Sequence, residues 1–143
     1  MTCAFFGHKN APAAIEPLLE KEIRRLIENE GYHEFLVGNQ GQFDAMVYST
    51  LKRLQRDYPL IQCHIILAYM PGKKDEYTTI DDTDTFYPEG LETVPRRFAI
   101  SHRNKWIIEH SDAVICYIDH TWGGAYQAVL QGEKKKLHII NLP

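Results

Sequence analysis

The sequence predicts an α/β fold: one three-layer, doubly wound domain over residues 1–143, with a mostly parallel five-stranded sheet in the order 3-2-1-4-5. Three observations predict it. Short apolar runs alternate with longer amphipathic stretches along the whole chain. The strongest run, Ala113-Val114-Ile115-Cys116-Tyr117-Ile118, is apolar almost throughout, as a strand covered on both faces is. Glycine-bearing turns follow three of the runs, at Gly7, at Gly38 and at Gly123-Gly124.

Thr2 to Phe6 reads as the first strand and stops at Gly7-His8-Lys9. Pro12 suits the first turn of a helix. Ile15, Leu18, Leu19, Ile23, Leu26 and Ile27 then recur at helical spacing, and Gly31 supplies the stop. Glu34 to Val37 is the second strand. The next helix carries Phe43, Met46, Val47, Leu51 and Leu54 on one stripe and ends near Asp57-Tyr58-Pro59, because proline disfavours helix just before itself. Ile61 to Tyr69 is the third strand, rich in β-branched residues.

Residues 70–95 lack periodicity and read as a long loop or lid-like insertion, well beyond the usual connection of about 4–6 residues. The acidic residues Asp81, Asp82 and Asp84 within it read as a solvated loop rather than a cation site. Arg96 to His110 is helical in composition. Ala113 to Ile118 is the fourth strand, a helix runs from about Gly124 to Lys135, and Leu137 to Leu142 closes the sheet as a fifth strand. Right-handed crossovers make the doubly wound arrangement the economical one. Its switch point falls between the first and fourth strands, where ligands bind past the carboxyl ends of strands.

Composition narrows the function. An apolar share of 44% is ample for a core, and a net charge of −3 offers no global basic field, which argues against nucleic acid as a partner. No apolar run reaches the roughly 20 residues of a membrane helix. The start, Met1 to Gly7, has no basic segment ahead of a long apolar middle, so a cytoplasmic protein is expected. Cys3, Cys63 and Cys116 each fall in a predicted strand and read as buried thiols of a reducing compartment. No Cys-x-x-Cys pair points to zinc, and neither a metal site nor a separate cofactor is expected.

The residues with chemical potential gather at the turns. Gly7, Gly38, Gly41, Gly123 and Gly124 would let backbone approach a ligand, although none forms a Gly-x-Gly-x-x-Gly or Walker A pattern. His8, Lys9 and Arg103, with helix N-termini, suit a phosphate or carboxylate. Asp44 stands early in the second helix, as a cap or as a ligand contact. Trp122 and Tyr126 bracket the Gly-Gly turn, as a stacking wall for a base or as packing residues.

Four blocks, in order, resemble a family. Phe5-Phe6-Gly7-His8-Lys9 is similar to the Gly-His-Arg turn of YpsA-like members of the SLOG superfamily, the Rossmann-like group that includes DprA and the Lonely guy proteins. Gly38-Asn39-Gln40-Gly41-Gln42-Phe43-Asp44 resembles its glycine turn ending in Phe-Asp or Val-Asp. Arg103-Asn104 with Ser111-Asp112-Ala113 resembles its Arg-Asn…Ser-Asp stretch. Gly123-Gly124-Ala125-Tyr126-Gln127-Ala128-Val129 resembles its Gly-Gly-Thr…Ala-Val turn and helix. The resemblance covers nearly the whole chain. It implies a Rossmann-like sheet and a site for a nucleotide or nucleotide-derived, phosphate-bearing ligand, used for sensing or for chemistry.

The residues expected at that site are Gly7, His8, Lys9, Gly38, Asn39, Gly41, Asp44, Arg103, Trp122, Gly123, Gly124 and Ala125. Two departures stand out: Lys9 replaces an arginine, losing the bidentate fork, and Ala125 replaces a threonine hydroxyl. The alternative implied by the resemblance is a phosphoribohydrolase-like enzyme that cleaves the N-glycosidic bond of nucleoside monophosphates, with Arg103 as the best catalytic candidate. That branch of the family uses a glutamate in Pro-Gly-Gly-x-Gly-Thr-x-x-Glu. Its counterparts here are Ala128 or Leu130, which cannot move a proton or stabilise an oxocarbenium-like centre. Asp44, Asp119 or Glu133 would have to serve instead. Pairing of helices between copies is compatible with such a domain.

Overall fold

The computed structural model describes residues 1–70 and 84–143. Its strands are β1 (Thr2–Gly7), β2 (Glu34–Val37), β3 (Gln62–Ile66), β4 (Thr85–Phe86), β5 (Ala113–Tyr117) and β6 (His138–Asn141). The helices are α1 (Glu16–Glu30), α2 (Gly41–Leu54), α3 (Ala99–Glu109) and α4 (Gly124–Lys134). The strands form one sheet in the order β4-β3-β2-β1-β5-β6, and every pairing is parallel.

The predicted α/β class holds, with one correction. A sixth strand, β4, adds to the edge beyond β3. It lies inside the segment expected to be a loop. Two residues are too few to show periodicity in sequence. The strand forms because β3 leaves its outer backbone open: Ile65 and Ile66 pair with Thr85 and Phe86, and the Leu67 N–H donates to the Phe86 carbonyl at 2.8 Å. Beyond β4, a short 3-10 turn over Leu91–Thr93 buries Leu91. Asp84 accepts from the Tyr48 hydroxyl and from Lys52 Nζ, each at 3.0 Å. Residues 71–83 of the expected insertion, with Asp81 and Asp82, lie outside the described residues.

Period-two alternation divides the core into two layers. On β1, Cys3 and Phe5 point to one face; on β5, Ala113 and Ile115 join them. Leu19, Ile23 and Leu26 of α1 and Phe43, Val47, Leu51 and Leu54 of α2 cover that face, all fully buried. Ala4, Phe6, Val114 and Cys116 point the other way, against Ile107 and Ile108 of α3 and Ala128 and Val129 of α4. Each fully buried leucine or isoleucine adds about 1.5–3 kcal/mol.

Helix ends follow local chemistry. α1 has a proline in its first turn and stops at Gly31 (φ +74°), where the Gly31 and Tyr32 N–H groups both donate to the Leu26 carbonyl. The three cysteines are buried and free, and burial pushes the thiols up, Cys63 and Cys116 to about 12. No helix among the described residues is long and apolar enough to cross a membrane.

Candidate functional site

From β1 the chain winds outward through β2, β3 and β4, then returns to place β5 on the other side of β1. The switch point therefore falls between β1 and β5, and the loops after these strands lie side by side. The His8 N–H donates to the Tyr117 carbonyl at 3.3 Å, so the first loop stays tied to β5 for one residue beyond the ladder.

The β1 loop is also packed against α2. A Cβ on Gly7 would lie 2.3 Å from the Phe43 ring, so only glycine lets α2 approach this closely. Gly41 (φ +91°) opens α2 against Lys9, with room for no more than a hydrogen, and the Gln42 N–H donates to the Lys9 carbonyl at 2.9 Å. The Gln40 N–H, at the start of α2, donates to Asp44 Oδ2 at 2.8 Å, so Asp44 caps its own helix. Burial raises the Asp44 carboxyl to about 6, while the Gln40 N–H and the charge of Arg103 pull it partway back.

Arg103 comes from α3 and is 4% exposed. Its Nη1 donates to the Ile66 carbonyl at 3.1 Å and its Nε to Asn104 Oδ1 at 2.9 Å. A buried guanidinium held by fixed acceptors is a preorganised positive charge.

The β5 loop supplies a column of rings. His8 stacks on His120 with centroids 3.4 Å apart and planes 15° apart, and His120 meets Trp122 at 4.0 Å. Trp122, the outermost ring, is 69% exposed. Asp119 Oδ1 lies 2.6 Å from His120 Nδ1 and 3.4 Å from His8 Nε2. The second contact is close enough for charge attraction but not aligned for hydrogen bonding, and His8 Nε2, though buried, has no hydrogen-bond partner. Burial and the neighbouring His120 charge hold His8 below the usual histidine range, partly offset by Asp119 and by the ring's contact with the His120 backbone.

The turn then enters α4. Gly123 has φ +98° and ψ 171°, a combination open in practice to glycine alone. No side chain caps α4, so its first amides face outward. The loops enclose a cavity of about 730 Å³, within the range of small-molecule sites.

Of the residues expected from sequence, Gly7, His8, Lys9, Gly38, Asp44, Arg103, Trp122, Gly123, Gly124 and Ala125 line this cavity. Asn39 and Gly41 do not: the Asn39 side chain accepts from Gln40 Nε2 at 3.3 Å, and Gly41 packs on Lys9. Asn10, Ile100 and Asn104 line it without being among the expected site residues, Gln40 and His120 line it from the loops placed at the switch point, and Asp119, considered only as an alternative acid, joins them. Asn104 was legible as the residue after Arg103. Nothing in the sequence marked Ile100, and His120 was legible only as the start of the loop that the strand order places at the switch point.

A family model described as the YspA SLOG family matches residues 2–140. The chain belongs to that family. No curated protein matches it significantly. Two solved structures share the SLOG chain's fold. DNA processing protein A from Streptococcus pneumoniae aligns with a TM-score of 0.70 at 13% identity, over 99% of this chain and 50% of that one. DNA processing protein A from Helicobacter pylori, whose structure concerned a single-stranded DNA binding mode, gives 0.71 at 14%, over 100% and 65%. The SLOG chain thus spans between half and two thirds of these proteins' lengths. Its α4 carries no carboxylate at Ala128, which is 2% exposed and packs in the core.

Proposed function

We propose that the cavity binds a nucleotide or nucleotide-derived ligand through its phosphate, as a sensing or carrier domain. One observation carries this: the uncapped N-terminus of α4, at Gly123-Gly124, opens into a cavity that also contains Lys9 and Arg103. Outward amides, a positive helix end and two cations are complementary to a phosphate. The exposed Trp122 ring offers a face to a base, and Asp44 stands where a ribose hydroxyl could be held. Calorimetric titration with nucleoside mono- and diphosphates and with dinucleotides tests the reading. Binding that weakens at least tenfold in Lys9→Ala supports it; no heat at millimolar concentration of any of these, with the protein folded, ends it.

A second reading is N-glycosidic hydrolysis. It draws on Asp119, a cavity-lining carboxylate that is half exposed and set beside two imidazoles. Such a group could donate a proton to a departing base in place of the missing α4 glutamate. Release of free base from nucleoside monophosphates, abolished in Asp119→Asn, would favour turnover over binding.

Single-stranded nucleic acid is a third ligand class that shares phosphate and base. The Helicobacter pylori protein of similar fold binds single-stranded DNA, which favours this class, whereas the net charge of −3 here disfavours it. A low-salt gel shift with a homopolymer separates it from a mononucleotide ligand.

A further inference from the structure

We propose that His8, Asp119 and His120 form a binding site for a divalent transition metal of the Zn²⁺ or Co²⁺ class at the switch point of the sheet. The site shares the cavity of the nucleotide reading without resting on it, and its test uses the metal alone.

Topology makes the cluster. His8 follows β1 and Asp119-His120 follows β5, so adjacent parallel strands deliver residues from opposite ends of the chain to one place. Among the described residues, this group of three offers one nitrogen or oxygen ligand atom each, all within 4.8 Å of one another. Around a tetrahedral ion at about 2.0–2.2 Å from each ligand the ligand atoms stand about 3.3–3.6 Å apart, so the widest pair must close by roughly 1–1.5 Å, within reach of a side-chain rotation. Two imidazoles and a carboxylate suit zinc, cobalt or nickel, whereas magnesium and calcium prefer an all-oxygen set.

A second observation points the same way. His8 is 9% exposed, and its Nε2 is buried without a hydrogen-bond partner although Asp119 lies 3.4 Å away. Buried polar atoms are normally satisfied, and an unpartnered imidazole nitrogen beside a carboxylate and a second imidazole is placed to serve as a metal ligand. Three protein ligands would leave the ion a further position for water or for a ligand atom, as in sites that do more than brace a fold.

The rings as they stand are stacked 15° from parallel, so their lone pairs run side by side. Metal capture therefore requires one ring to turn. His120 is the one with room, since its side chain is 31% exposed against 9% for His8. Turning it breaks its contact with Trp122. Metal binding thus carries its own optical signature, independent of any activity.

The full chain, stripped with chelator, should take up one equivalent of Zn²⁺ by calorimetry, while Mg²⁺ gives no heat at the same concentration. Tryptophan fluorescence should change and saturate at that equivalence point, and the change should disappear in Trp122→Phe. Co²⁺ should give the visible absorption of a four- or five-coordinate site. Asp119→Ala and His120→Ala, both at exposed or half-exposed positions, should keep the wild-type melting temperature and weaken Zn²⁺ binding at least tenfold. His8→Ala should do the same, but its burial makes it the less decisive variant. Wild-type Zn²⁺ affinity in the folded Asp119→Ala and His120→Ala proteins would overturn the proposal. So would the absence of Zn²⁺ binding at 100-fold excess over protein.

Discussion

Asp44 and Arg103 converge on the space that a side chain at Gly38 would fill. A Cβ there would lie 2.8 Å from Asp44 Oδ2 and 2.8 Å from Arg103 Nη1. A buried acid and a buried base are thus brought together over a bare stretch of backbone at the end of β2. Neither group can retreat easily: Asp44 caps α2 and Arg103 donates to the Ile66 carbonyl.

Gly38→Ala should therefore cost about 1–3 kcal/mol by overpacking. Urea unfolding measures it. A midpoint equal to that of the wild type would mean that the pair moves aside freely.

Asp44 makes stability depend on pH in an unusual direction. An aspartate normally ionises near 3.8, whereas buried Asp44 keeps its proton to about 6. Between those values the native state holds a proton that the unfolded chain has released. Stability from this group is fully present below about pH 4 and is lost as pH rises through 6. The full span is worth about 3 kcal/mol. Asp44→Asn keeps an oxygen for the Gln40 N–H and has no proton to lose. Its unfolding free energy should be flatter between pH 4 and 6.5. Parallel curves for the two proteins would contradict the burial argument.

Gly7 and Phe43 should behave as a coupled pair. Gly7→Ala drives a methyl into the Phe43 ring and should destabilise by about 2–3 kcal/mol, at the upper end for overpacking. Phe43→Leu removes part of that ring, so the double variant should lose clearly less than the sum of the singles. Simple additivity in a double-mutant cycle would refute the contact.

The two glycines before α4 should differ. Gly123 holds φ +98°, so Gly123→Ala should cost about 1–3 kcal/mol of backbone strain. Gly124 begins the helix with open space around its Cβ position, so Gly124→Ala should leave stability unchanged or raise it slightly. Thermal melts of the two variants side by side decide it; equal losses would refute the assignment.

Much of this architecture was legible in the sequence for identifiable reasons. Continuous apolar runs such as Ala113 to Ile118 mark strands buried on both faces, and the α1 and α2 stripes repeat at helical spacing. Strand β4 was not legible, because two residues carry no period and their pairing depends on the open edge of β3. Glycines and charged residues just after strands, such as Gly7 and Lys9, were legible as cavity-lining because strand ends at a switch point face a cleft. His120 was legible only as part of the loop after the fourth strand; its ring's place in the column depends on stacking between His8 and Trp122, which no spacing in the sequence shows. Asn39 and Gly41 fell away for a local reason: their part in the turn is to bend it and seat it on Lys9.

The seam between the β1 loop and α2 has a mechanical consequence. The Gln42 N–H grips the Lys9 carbonyl, and Gly41 leaves no slack beside it. That jaw of the cleft behaves as an anvil, fixed to the sheet behind it. The opposing jaw ends in a ring more than two-thirds open to water, on Trp122. A guest should approach past the indole, and the rearrangement on arrival should be confined to that side.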